Sequence, residues 1–181
     1  MIPKKYLFDS DSLIAAKNFY YSPDFCPAFW DWILQGNQHS FFFTIDRIAD
    51  EFKCGDKTDY LHKFVESHYD LFVLETKNDH NCILKYSEIQ KWASSVWANG
   101  KNPSKVAKAL EVFANEKMAD PWLVAYASIN KYTIISNESS APESQTVVKL
   151  PDVASAFGVE VKKLHDVLRI HSGHNFSFKV I

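Results

Sequence analysis

Residues 132–136 (YTIIS) are apolar and β-branched almost throughout, the composition of a strand buried on both faces of a parallel sheet. Similar short runs at 6–8 (YLF), 40–43 (SFFF) and 71–74 (LFVL) are separated by stretches whose apolar residues recur every three or four positions. Short strands alternating with helical segments predict a parallel sheet covered on both faces and joined by right-handed crossovers. The expected fold class is therefore α/β, a three-layer α/β/α arrangement around a mainly parallel, Rossmann-like sheet. In such sheets a ligand site lies beyond the carboxyl ends of the strands.

The helical segments carry their own punctuation. Ser10-Asp11-Ser12 can cap a helix from Leu13. Residues 25–34 have helical spacing and stop at Gly36, residues 45–52 read as a helix, and so do 58–69. A long amphipathic stretch at 79–98 ends in Asn99-Gly100 and Asn102-Pro103, after which Ser104 is expected to cap a helix over 104–117. Asp120 suits a cap and Pro121 a first helical position, which predicts a helix to about Asn130. Residues 147–150 (VVKL) are expected as a strand beside 132–136, followed by a short strand near Val159 and a helix through Arg169.

At 181 residues with no Gly/Ser/Pro-rich divider, the chain is expected to form one domain over 1–181. Aromatics make up 15% of the residues, more than a core of this size requires, which leaves some to face a partner. The net charge of −2 supplies no basic field, so contact with nucleic acid would depend on a local patch or a bridging cation. Cys26, Cys54 and Cys82 are odd in number and widely spaced, which argues against a disulfide framework or a zinc site and for a reducing cytoplasm. The opening MIPKKYLFDSDS reaches acidic residues before any apolar segment long enough for a signal peptide or a membrane span, so no membrane partner is expected.

Acidic residues stand where this architecture would gather them. Asp9 follows the first strand, Glu51 lies on a helix, Asp120 opens another, and Glu138 follows a late strand. Residues 6–14 (YLFDSDSLI) resemble the opening of PIN-domain ribonucleases: an apolar strand, an Asp, a small hydroxylic residue and a further polar position. Residues 44–52 (TIDRIADEF), 119–127 (ADPWLVAYA) and 132–138 (YTIISNE) are similar to that family's second, third and fourth blocks, in order. Glu138 departs from the usual Asp at the last position. The segment 150–153 (LPDV) resembles a PIN-like subgroup associated with toxin–antitoxin pairs.

The resemblance implies a PIN-like fold and a magnesium- or manganese-dependent endoribonuclease. It makes Asp9, Glu51, Asp120 and Glu138 catalytic and metal-binding residues, Asp11 an accessory ligand, and Ser136 a contact to a metal-bound water. It implies an RNA substrate, a protein antitoxin as partner, and leaves a homodimer open. The chemistry is coherent, because carboxylates crowded together stay ionised only when a cation offsets their repulsion, and such a cation activates water for attack on a phosphodiester.

Two rival functions are drawn from the same residues. Asp9-Ser10-Asp11 reproduces the paired-Asp start of haloacid-dehalogenase-type phosphohydrolases, with Asp9 as nucleophile, but the later motifs of that family are not found. A non-catalytic PIN-like binding module is the third reading, suggested by Glu138. Single residues also have plain explanations. Asp120 alone reads as a cap, Asp46, Asp50 and Glu51 as a solvated helix face, and Asp152 as a turn or cap residue. His171 and His174 read as exposed tail histidines, and Trp30, Trp32, Trp92 and Trp97 as core. Lys149, Lys162, Lys163 and Arg169 read as a charged surface that could meet phosphates.

Overall fold

A computed structural model describes residues 4–97 and 102–181. Its centre is a five-stranded, all-parallel sheet in the order β3-β2-β1-β4-β5. The strands are β1 (Tyr6–Phe8), β2 (Phe42–Ile45), β3 (Val73–Leu74), β4 (Thr133–Ile135) and β5 (Val161–Lys162). Helices α1 (Ser10–Ala15), α2 (Pro27–Gln38), α3 (Asp46–Lys53), α4 (Tyr60–Ser67), α5 (Tyr69–Phe72), α6 (His80–Trp97), α7 (Pro103–Phe113), α8 (Ala119–Asn130), α9 (Leu150–Ala156) and α10 (Leu164–His171) flank it. The result is the three-layer α/β/α class. The central strand β1 pairs Tyr6 with Phe42 on one side and with Thr133 on the other. Every residue of β1 is buried, as a strand covered on both faces demands.

An aromatic core lies on this sheet. Phe42 is fully buried and meets Tyr6, Phe8, Trp32 and Phe178 edge-on, with centroids 4.7–5.8 Å apart. Gly36 sits inside α2 and does not end it. A Cβ at that position would stand 2.2 Å from the Phe42 ring, so glycine is what lets helix and ring approach. Gly36→Ala should therefore overpack the core and destabilise the fold by about 1–3 kcal/mol, read as a lower urea midpoint with the slope unchanged.

Several expected boundaries move for identifiable reasons. The strand expected at 40–43 forms at Phe42–Ile45, and 71–74 is mostly the single turn of α5 with only Val73–Leu74 extended. Asn102 caps α7, accepting from Lys105 N–H, because Pro103 occupies the first turn; Ser104 lies inside the helix. The Asn99-Gly100 break and the side chain of Trp97 lie outside the described residues. Helix α8 begins at Ala119 after Met118, so Asp120 occupies its first turn and is not its cap. Residues 147–150 form no strand, and β5 takes the place beside β4.

Two plain readings also change. Asp46 is fully buried, accepting from the Thr76 hydroxyl at 2.5 Å and Lys77 N–H at 3.2 Å. Asp46→Ala should strand both donors and cost about 1–3 kcal/mol, measurable by chemical denaturation. His171 is buried rather than exposed, its ring between Tyr6 Oη at 3.1 Å and the Lys179 carbonyl at 3.1 Å; burial lowers its pKa, so it works as a neutral core group. Trp30 and Trp32 are core, as read from the sequence, and Trp92 is partly buried against that core. No helix among the described residues is long and apolar enough to cross a membrane.

Candidate acidic site at the carboxyl edge of the sheet

Adjacent parallel strands deliver their next residues to the same edge. Asp9 follows β1 and Ser136 follows β4, and the two strands are joined there by the Asp9 N–H donating to the Ile135 carbonyl at 3.0 Å. Asp9 is buried, with 3% of its surface exposed, and caps α1 by accepting from Ser10 N–H at 2.7 Å. The cap turns the chain sharply and sets Asp11 in the first helical turn. Asp11 then reaches across to the loop after β4. It accepts from the Ser136 hydroxyl at 3.3 Å and from Asn137 N–H at 3.1 Å to each of its oxygens.

Glu138 completes that loop. It accepts from Lys149 Nζ and from Leu150 N–H, each at 3.3 Å, and so satisfies the start of α9 while facing the cluster. Lys163 Nζ donates to the carbonyls of Asn137 and Glu138 at 2.7 and 2.5 Å, clamping the loop from α10's side. Asp152 ties its far end, accepting from Ala141 N–H at 3.0 Å and from the Ser140 hydroxyl, which bears out its reading as a structural residue. Glu51 comes from α3. Its carboxylate is hydrogen-bonded by Ser10 and by the Ala119 N–H at the start of α8, a natural place for an anion.

The electrostatics show which of these groups face one another. Burial raises the pKa of Asp9 well above its ordinary value, and the charges of Asp120 and Asp11 raise it further, against the hydrogen bond from Ser136. Asp120 is pushed up to about 7, by burial first and then by Glu138, Glu51 and Asp11, with Lys149 opposing. Burial also raises Glu51, although the residue as a whole is exposed at the surface. The structure therefore brings Asp9, Asp11, Glu51, Asp120 and Glu138 into one electrostatic neighbourhood, with Ser136 among them. Among the described residues, no three His, Cys, Asp or Glu side chains are arranged to hold a metal ion.

Three contributors escaped the sequence reading. Asn137 appeared only as a spacer between Ser136 and Glu138, yet its backbone N–H fixes Asp11. Lys149 and Lys163 were grouped as surface charge, yet both hold the Glu138 loop. A backbone donor leaves no signature in residue type, and the lysines' targets are carbonyl and carboxylate oxygens that only the fold brings near.

A model of a domain of unknown function (DUF4411) matches residues 6–175. The chain belongs to that family. The matched span starts with β1 and runs past α10, so it contains every acid of the cluster. No curated protein and no solved structure matches the chain.

Proposed function

We propose that the chain is a PIN-like, magnesium- or manganese-dependent endoribonuclease, the toxin of a type II toxin–antitoxin pair whose antitoxin is a separate protein. One observation carries this reading: the buried Asp9 and the half-buried Asp11, Asp120 and Glu138, from separate segments, share one electrostatic neighbourhood at the carboxyl edge of β1 and β4, and burial first, then their repulsion, lifts Asp120 to about 7. Gathering like charges is costly unless something positive joins them. The donors are carboxylate and hydroxyl oxygens without Cys or His, a hard set that suits Mg²⁺ or Mn²⁺. Asp9, Asp11 and Asp120 would hold the ion, with Glu51 and Glu138 at the rim.

When bound, such an ion supplies an activated water and offsets charge on the phosphate. The protein's own residues do the rest. Ser136 orients Asp9 and Asp11 through its hydroxyl. Asp120, pushed up by burial and by the neighbouring carboxylates, is the group whose charge a bound cation would most relieve. Lys149 and Lys163 keep the Glu138 loop in register with α1. Single-stranded RNA fits best, because a splayed strand exposes its backbone to a recessed acid such as Asp9.

Incubating the purified chain with labelled single-stranded RNA in Mg²⁺, Mn²⁺ or EDTA tests the reading. Cleavage with either metal, fragments bearing 5′-phosphates and no cleavage in EDTA are expected. Expression without a partner should also slow growth; unimpaired growth with abundant protein would remove the toxin role and leave the nuclease. A second reading draws on Glu138, whose carboxylate is engaged by Lys149 and Leu150: a binding module without turnover. Metal binding with no cleavage would favour it.

A further inference from the structure

We infer that the recess between Tyr20, Tyr21, Asn137, Leu164 and His165 takes one unpaired nucleobase of the RNA, beside the phosphate held at the acidic site. The inference rests on the ribonuclease reading and adds a base-binding subsite to it. The recess has a volume of about 230 Å³ and is lined by two tyrosines and an imidazole around an apolar leucine. Its wall includes Asn137, the residue whose N–H holds both oxygens of Asp11. One residue thus belongs to the recess and to the acid cluster, which sets a base and its neighbouring phosphate on adjoining surfaces.

The local backbone explains why an aromatic ring is offered to solvent here. Helix α1 does not continue as an α-helix; Ala16–Tyr20 forms a π-helical turn. The extra residue per turn rotates side chains out of the α-helical stripe, and such turns are common at functional sites. Phe19 and Tyr20 emerge with 74% and 63% of their surfaces exposed. The next ring is anchored: Tyr21 stacks on Phe29 at 4.5 Å and its carbonyl accepts from Trp30 Nε1 at 2.8 Å. Tyr20 leans on this fixed ring, 6.3 Å between centroids. An anchored aromatic floor with an exposed ring at its lip, lining the same recess as His165 on α10, is what sequence-tolerant base stacking uses. His165 Nε2 lies 3.2 Å from Asp166 Oδ1, which orients the imidazole at the rim.

The test uses fluorescence anisotropy of a short labelled single-stranded RNA on the full chain, its Tyr20→Leu and His165→Leu variants, and a matched oligomer with one abasic position at each site in turn. Both residues are exposed and neither belongs to the acid cluster at the sheet edge, so both variants should keep their fold. Loss of one stack should weaken binding of intact RNA about tenfold in Tyr20→Leu, with a smaller loss in His165→Leu. One abasic position should bind wild type and Tyr20→Leu equally. Wild-type cleavage combined with unchanged binding in both variants would overturn the subsite and leave the ribonuclease standing, the aromatic face then serving another macromolecule. Tyr20-dependent RNA binding without metal-dependent cleavage would keep the subsite and remove the nuclease. No RNA binding by any form would overturn both.

Discussion

Asp9→Asn is expected to lower metal-dependent RNA cleavage by more than about a hundredfold while the chain stays folded. Changes to groups that merely orient metal ligands cost about 10–100-fold, and under the proposed function Asp9, buried at the end of β1 and electrostatically joined to Asp120 and Asp11, would be a ligand itself. Asparagine keeps the size and keeps the cap, because its carbonyl oxygen can accept from Ser10 N–H as the carboxylate does. What it removes is the charge, which a hard cation needs. Circular dichroism should be unchanged, and the thermal midpoint in EDTA should hold or rise. Cleavage at the wild-type rate by a folded Asp9→Asn chain would falsify the proposed site.

The second large effect is on stability and has the opposite sign from ordinary carboxylate loss. Asp120 has a folded-state pKa of about 7 against an ordinary value of 3.8. Between those values the folded chain holds a proton that the unfolded chain has released, so stability falls as pH rises from about 4 to about 7. Below pH 4 the penalty is absent, and above 7 it is complete. A shift of that size corresponds to at most ~4 kcal/mol, and sharing among coupled acids and access to water reduce it to on the order of 2 kcal/mol. Loss of a favourable charge in the first turn of α8 costs about 0.3–1 kcal/mol. Asp120→Asn should therefore gain about 1–2 kcal/mol at pH 8 in EDTA and little at pH 4. Mg²⁺ at a concentration that saturates the wild type should raise its midpoint at pH 8 by mass action and raise the variant's less. Urea melts across this range check both statements, and a variant less stable than wild type at pH 8 contradicts them.

The acids were legible because each follows a recognisable boundary. Asp9 ends an apolar run, Glu138 stands three residues past β4, and the Asp120-Pro121 pair marks a helix start within one residue. The class of fold was legible for the same reason, since β1 and β4 are mostly apolar and buried throughout. What remained hidden depends on partners distant in the chain. Asp46 looked like one of several charges on a helix face, and only Thr76 and Lys77, brought alongside, make its burial tolerable. Gly36 looked like a stop because glycine often ends helices, whereas its role is set by the ring of Phe42.

The segment 147–150 shows a different failure. Its two valines and a leucine have strand composition, and Val148 and Leu150 are buried. Yet Leu150 and Pro151 open α9, whose first N–H is satisfied by Glu138. The expected strand does not form, because a short apolar run does not distinguish strand from helix start. The neighbour of β4 is instead Val161–Lys162, a pair too short to announce itself.

The claim that these acids form one divalent-cation site is tested most directly by titrating the purified chain with Mn²⁺ and following the free ion's electron paramagnetic resonance signal. A saturable site is expected in the wild type, competed by Mg²⁺, lost in Asp9→Asn and weakened in Asp120→Asn. Absence of saturable binding, or binding that both variants retain at wild-type affinity, would contradict it.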